Sequence, residues 1–168
     1  MFQKDEYVFY ESEGICLVSD ILTSPLPGMP ADRQYYLLRP LKNKSGVVYV
    51  PVDSDKVYLR RILNRDEAEA LVNEIPSVEE ISAEDSKKLR TAYADLLKTH
   101  LPKDWVRIIK TVRSRLTDAI PRGLRISDTE RNAAESARRF LHTELALALQ
   151  LDESEVESYI ESRLSKLA

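Results

Sequence analysis

The sequence predicts an α+β protein in two parts: a small five-stranded barrel, or strongly bent sheet, over residues 1–62, and an all-helical domain of about five helices over residues 63–168. Three observations carry this. Short runs of alternating β-branched, aromatic and leucine residues, separated by clusters of turn formers, crowd the first third of the chain. At Asn64 the apolar period changes from two to about 3.6. Beyond that point, cap-like pairs recur at a spacing of three residues: Asn64 with Glu67, Ser82 with Asp85, Ser127 with Glu130, and Asp152 with Glu155.

The strands come first in the chain. Tyr7 to Tyr10 and Ile15 to Thr23 read as two strands joined by the polar turn Glu11-Ser12-Glu13-Gly14. Pro25, Pro27, Gly28 and Pro30 then break the backbone, so residues 24–33 form an exposed loop. The runs Gln34-Tyr-Tyr-Leu-Leu-Arg-Pro-Leu41 and Val47-Val-Tyr-Val-Pro-Val52 flank Lys42-Asn-Lys-Ser-Gly46, which is how a hairpin is written in sequence. Val48, Val50 and Val52 share one face. Pro51 cannot donate to a ladder, which marks its strand as an edge or a bulge, and an edge can accept a partner's strand. Lys56 to Arg60 completes the five.

Helices follow. The first is opened by Asn64 and ends before Pro76. The second is opened by Ser82 with Asp85 and reaches about Lys98. Pro102 suits the first turn of a third, running to about Leu116. Ser127 opens a fourth, rich in alanine and leucine through Leu149, and Asp152 opens the last, ending near Leu167.

Composition limits the function. With 168 residues, 43% of them hydrophobic, the chain builds one compact domain or two small ones. A single cysteine, Cys16, excludes an internal disulfide framework and fits a reducing compartment. No apolar run approaches the roughly 20 residues of a membrane span, and the acidic, tyrosine-rich start lacks the form of a signal peptide. The expectation is a cytoplasmic monomer with no membrane partner. The net charge of −3 conceals one basic island: residues 98–125 carry eight basic and two acidic side chains, whereas residues 65–97 carry four and nine. That island is where a polyanion would be drawn.

On the third helix, Lys103, Arg107, Lys110 and Ser114 follow i, i+4, i+7, i+11, with Arg113 and Arg115 beside them. Near the flexible Arg122-Gly123-Leu124-Arg125, such a stripe suits phosphate contacts, which release counterions irrespective of base sequence. A solvated face paired with the acidic residues 66–85 is the equal alternative. Trp105, Ile108, Ile109, Val112 and Leu116 have the spacing of a buried stripe, so core packing is expected of Trp105 ahead of a minor-groove wedge. His100 and His142 have no second ligand at metal spacing, Cys16 on an apolar strand is a core residue, and four scattered glycines build no phosphate loop. No enzyme, metal or cofactor is expected.

The opening Phe2 to Cys16, Tyr35-Tyr-Leu-Leu-Arg-Pro-Leu41, Val48-Tyr-Val-Pro-Val52, Tyr58-Leu-Arg60 and Leu141-His-Thr-Glu-Leu-Ala-Leu-Ala148 together resemble the CarD/CdnL family of bacterial RNA polymerase-binding transcription regulators, in its divergent clostridial-type branch. The resemblance implies a Tudor/SH3-like N-terminal domain that docks on the β subunit of RNA polymerase. It also implies a helical domain that contacts promoter DNA at the upstream edge of the bubble and modulates open-complex stability. Departures are visible: Asp5-Glu6 stands where the family has Gly-Asp, Tyr49 where an arginine precedes Val-Pro, and about Ser86 where a tryptophan wedge would begin a helix.

On this reading, Tyr36, Arg39, Tyr49, Pro51, Arg60 and Arg61 bind the polymerase, and Lys87, Lys88, Arg90, Lys103, Arg107, Lys110, Arg113 and Arg115 contact DNA weakly and without sequence specificity. The rival is a protein-only adaptor whose helices bind another protein.

Overall fold

Period-two alternation produces five strands: β1 (Tyr7–Tyr10), β2 (Gly14–Thr23), β3 (Gln34–Pro40), β4 (Val48–Pro51) and β5 (Leu59–Arg61). They form one antiparallel sheet in the order β4-β3-β2-β1-β5, open between β4 and β5. β2 sits at the centre. Its register against β3 shifts between Val18 and Asp20, a bulge at Ser19 that lets one long strand bend. The fifth strand starts at Leu59, later than Lys56, because residues 53–58 form the turn that returns the chain to β1. In the computed structural model, which describes residues 1–167, this sheet belongs to a compact unit Met1–Ile62, and a second unit runs from Leu63 onward.

The sheet's core face carries Val8, Cys16, Val18, Tyr36, Leu38 and Val50, with Phe2, Tyr10, Ile21, Val48, Val52, Val57 and Leu59 packed against them. Tyr36 is only 2% exposed. Its hydroxyl accepts from the Phe2 N–H at 2.9 Å, so the phenol is satisfied inside the core. In the β3–β4 loop the Gly46 N–H bonds Asn43 O at 2.9 Å and closes the turn.

The second unit contains α1 (Arg65–Glu74), a 3₁₀ turn Ile75–Ser77, α2 (Ser86–Lys98), α3 (Pro102–Ala119), a 3₁₀ turn Ile120–Arg122, α4 (Asp128–Leu149) and α5 (Glu153–Leu167). Asn64 with Glu67, and Ser127 with Glu130, form reciprocal capping boxes. The α2 cap is Asp85 and not Ser82: its carboxylate accepts from the Lys88 N–H, and the helix begins one residue later. α1, α2, α3 and α5 all pack on α4 through its buried stripe Ala133, Ala137, Leu141, Leu145 and Leu149.

Trp105 is fully buried, its ring 5.5 Å from that of Phe140 on α4. Ile108 and Val112 continue the stripe, but Leu116 does not; it is 41% exposed. The reason is length. Arg115 of α3 meets Glu130 in the first turn of α4, and the last turn of α3 projects past it.

Candidate functional site

The sequence anticipates two surfaces, whose residues are placed as follows. On the sheet's other face, Leu37 of β3 lies opposite Tyr49 of β4, Tyr35 opposite Pro51, and Arg39 opposite Leu17 of β2. Arg39 is exposed, and its Nε donates to Ser19 Oγ at 3.2 Å. The bulge residue thereby aims the guanidinium. Arg39, Tyr49 and Pro51 thus share one face of the β3–β4 hairpin.

β4 is an edge strand, and its backbone has a specific pattern. Val52 N–H bonds Gln34 O at 3.0 Å, so by the two-residue alternation of an antiparallel ladder Val48 and Val50 face β3 while Tyr49 turns its N–H and C=O outward. Pro51 has no N–H, and its carbonyl already accepts from the Ser54 N–H at 3.3 Å. A partner strand can therefore pair at Tyr49 and little beyond it.

The other anticipated docking residues fall elsewhere. Tyr36 is corrected: it points into the core, because the even-numbered positions of β3 face inward there. Arg60 and Arg61 are on β5, at the opposite edge of the sheet. Arg60 stacks over Phe9 on the other face with its guanidinium carbon 4.9 Å from the ring centre, while Arg61 lies across from Val8 on the core face.

The basic residues divide by helix. On α3, Lys110 lies over the turn that ends α1, and its ammonium donates to the carbonyls of Ile75, Pro76 and Val78 at 2.8, 3.2 and 2.6 Å. All three of its donors are taken. Arg115 pairs with buried Glu130. Arg107 donates to Glu79 O at 3.3 Å and lies 3.9 Å from Asp104, Lys103 lies 3.6 Å from Glu74, and Ser114 bonds Glu80. Most of the α3 stripe is therefore turned onto the acidic segment between α1 and α2. Only Arg113 of that stripe is exposed with no polar partner for its side chain among the described residues.

α2 is different. Lys87, Arg90 and Lys98 are exposed and make no side-chain ion pair or hydrogen bond among the described residues, and with Thr91 and Ala94 they line one face. Lys88 pairs with Glu84 at 2.9 Å on the flank, and a shallow concavity lined by Lys87, Lys88, Thr91 and Asp95 runs beside it. Lys98 was missed in the sequence although it stands eleven residues from Lys87. The repeat i, i+4, i+7, i+11 carries threonine and alanine between the two lysines, which hides the stripe.

Glu130 is the electrostatic centre of the helical unit. It accepts from Arg115, from the Tyr93 hydroxyl at 3.2 Å and from the Ser127 N–H at 3.3 Å. Burial alone raises its carboxyl, but the hydrogen bonds from Arg115 and Ser127 outweigh this and hold it below the ordinary value. Burial and the nearby carboxylate push the Tyr93 phenol upward. Burial, with a smaller contribution from Glu13, pushes the Cys16 thiol up to about 12, so it stays a protonated core side chain. Burial and Arg138 lower His142 on α4.

Among the described residues no group of three or more His, Cys, Asp or Glu converges as a metal site would require, and no helix is long and apolar enough to cross a membrane. No curated protein matches the chain. The family model described as the CarD-like/TRCF RID domain, an RNA polymerase β-interacting domain, matches residues 2–63.

Proposed function

We propose that this chain, whose residues 2–63 match a CarD-like polymerase-interacting domain, is a cytoplasmic, non-catalytic transcription regulator. It docks on the β subunit of RNA polymerase and contacts promoter DNA near the upstream bubble edge to modulate open-complex stability. The observation that supports it best is the β4 edge: a single outward N–H and C=O at Tyr49, beside an arginine fixed by a bulge serine, is a surface built to take one strand in one register. Tyr36 supports that edge from beneath without touching the partner.

DNA contact is assigned to α2 through Lys87, Arg90 and Lys98, with Lys88 at its margin, because the ammonium of Lys110 and the guanidinium of Arg115 already hold the helices together. Such contacts are few and weak on their own. They become effective when the polymerase holds them at high local concentration.

Two variants of the full chain separate the roles. Tyr49→Ala with Arg39→Glu should abolish co-purification with RNA polymerase while the melting temperature is kept. Lys87→Glu with Arg90→Glu should leave co-purification intact, shorten or lengthen promoter-complex lifetime, and reduce the slope of log affinity against log salt by about 2, at roughly 0.9 per phosphate contact. If the second variant changes nothing, the protein-only adaptor is the correct reading. The observation that favours that alternative is the internal use of the α3 stripe.

A further inference from the structure

The end of α3 carries a surface that neither polymerase docking nor the α2 face uses. Leu116 is 41% exposed, Ile120 66% and Leu124 53%, three large apolar side chains within nine residues. Arg113, Leu116 and Ile120 follow i, i+3, i+7 and so share one side of the helix. Asp118, the one carboxylate of the segment, falls on the far side, roughly 160° from Ile120 around a helix of 3.6 residues per turn. Arg113, Arg122 and Arg125 are exposed, and none of their side chains has a hydrogen bond or ion pair among the described residues.

The tip is preformed. Gly123 takes the left-handed conformation with φ 67°, its N–H bonds Ile120 O at 3.1 Å, and the Leu124 N–H bonds Ala119 O at 3.0 Å. Arg115 ties the base of this knuckle to Glu130. Leu124 is thus presented on a hydrogen-bonded turn, so little ordering cost opposes binding.

We propose that residues 113–125 are a docking site for an amphipathic helix of another protein, one with apolar residues at i and i+4 and carboxylates along its flanks. An apolar centre rimmed by arginine is the anatomy of a protein interface, where arginine is enriched and lysine depleted. A symmetric contact with the same patch of a second copy is disfavoured, since it would bring three uncommitted arginines against three. The carboxylate flanks follow from the rim's charge, and the helix from the i, i+4 ridge of Leu116 and Ile120.

The test uses the full chain, labelled with ¹⁵N, and two designed helical peptides of about 18 residues. Both carry leucine at every third and fourth position, and one is otherwise glutamate while the other is otherwise lysine. Amide shifts should be confined to residues 113–126, and the glutamate peptide should bind at least about tenfold more tightly than the lysine peptide. Leu116→Ser with Leu124→Ser should weaken binding about tenfold at an unchanged melting temperature. Arg122→Glu with Arg125→Glu should invert the peptide preference. Three results would overturn the proposal: no shift at these amides at millimolar peptide, a DNA duplex that saturates the same amides and displaces the peptide, or self-association that Leu116→Ser abolishes.

Discussion

Lys110 shows what a single side chain decides. By spacing it belongs to a basic stripe open to any polyanion, yet its ammonium saturates the carbonyls of Ile75, Pro76 and Val78. Lys110→Met should therefore cost the helical unit about 2 kcal/mol, as loss of hydrogen bonds to a charged group does, and urea unfolding will measure it. For the same reason, reversing Arg107 and Lys110 together would confound a DNA-binding assay with instability. Glu130 adds a pH dependence. Its folded carboxyl sits below the ordinary 4.5, so the stability it contributes is complete above that value and is lost as pH falls from there through the folded value. Melting temperature should drop between about pH 5 and 3 more steeply in the wild type than in Glu130→Gln, so that the gap between them narrows with acid. Periodicity along one segment does not disclose which carbonyls another segment leaves unsatisfied. That is why Lys110 was legible as basic and exposed, but not as a clamp.

At the scale of elements, the helix starts were legible where one side chain alone fits the cap. Asn64 with Glu67 and Ser127 with Glu130 formed the boxes that their spacing implies. Between Ser82 and Asp85 two caps compete, and the carboxylate bonding the Lys88 N–H wins over a hydroxyl one turn earlier. Hydrophobic alternation likewise places the β3–β4 hairpin, but not Tyr36: three aromatic or leucine neighbours on β3 leave the inward face ambiguous until the strand is paired with β2 and β4. Helix ends were harder still. α4 terminates at Gln150, which adopts a left-handed conformation at φ 57° without being glycine. Gln150→Gly should raise stability by about 1 kcal/mol, the steric cost of that conformation for a residue with a Cβ, and thermal unfolding will detect it.

For the whole molecule, the sequence divides polar labour between two units. The β unit is balanced in charge, so the docking proposed for it would rest on one strand edge and a few side chains; the helical unit carries both the acidic segment and most of the cations that neutralise it. A net charge of −3 is therefore no guide to partners, because half of the basic island is satisfied internally, and among the described residues its uncommitted cations are Lys98 of α2 and Arg113, Arg122 and Arg125 of the α3 knuckle. Pro51 on β4 has one further consequence, which concerns the solution life of the protein. An exposed β edge that recognises a strand is also a template for stacking copies into fibrils. The missing N–H at Pro51 caps that template after one pairing at Tyr49, so the edge can accept a single strand while runaway polymerisation is blocked. Pro51→Val should leave the fold intact and produce aggregates that bind thioflavin at concentrations where the parent chain stays clear.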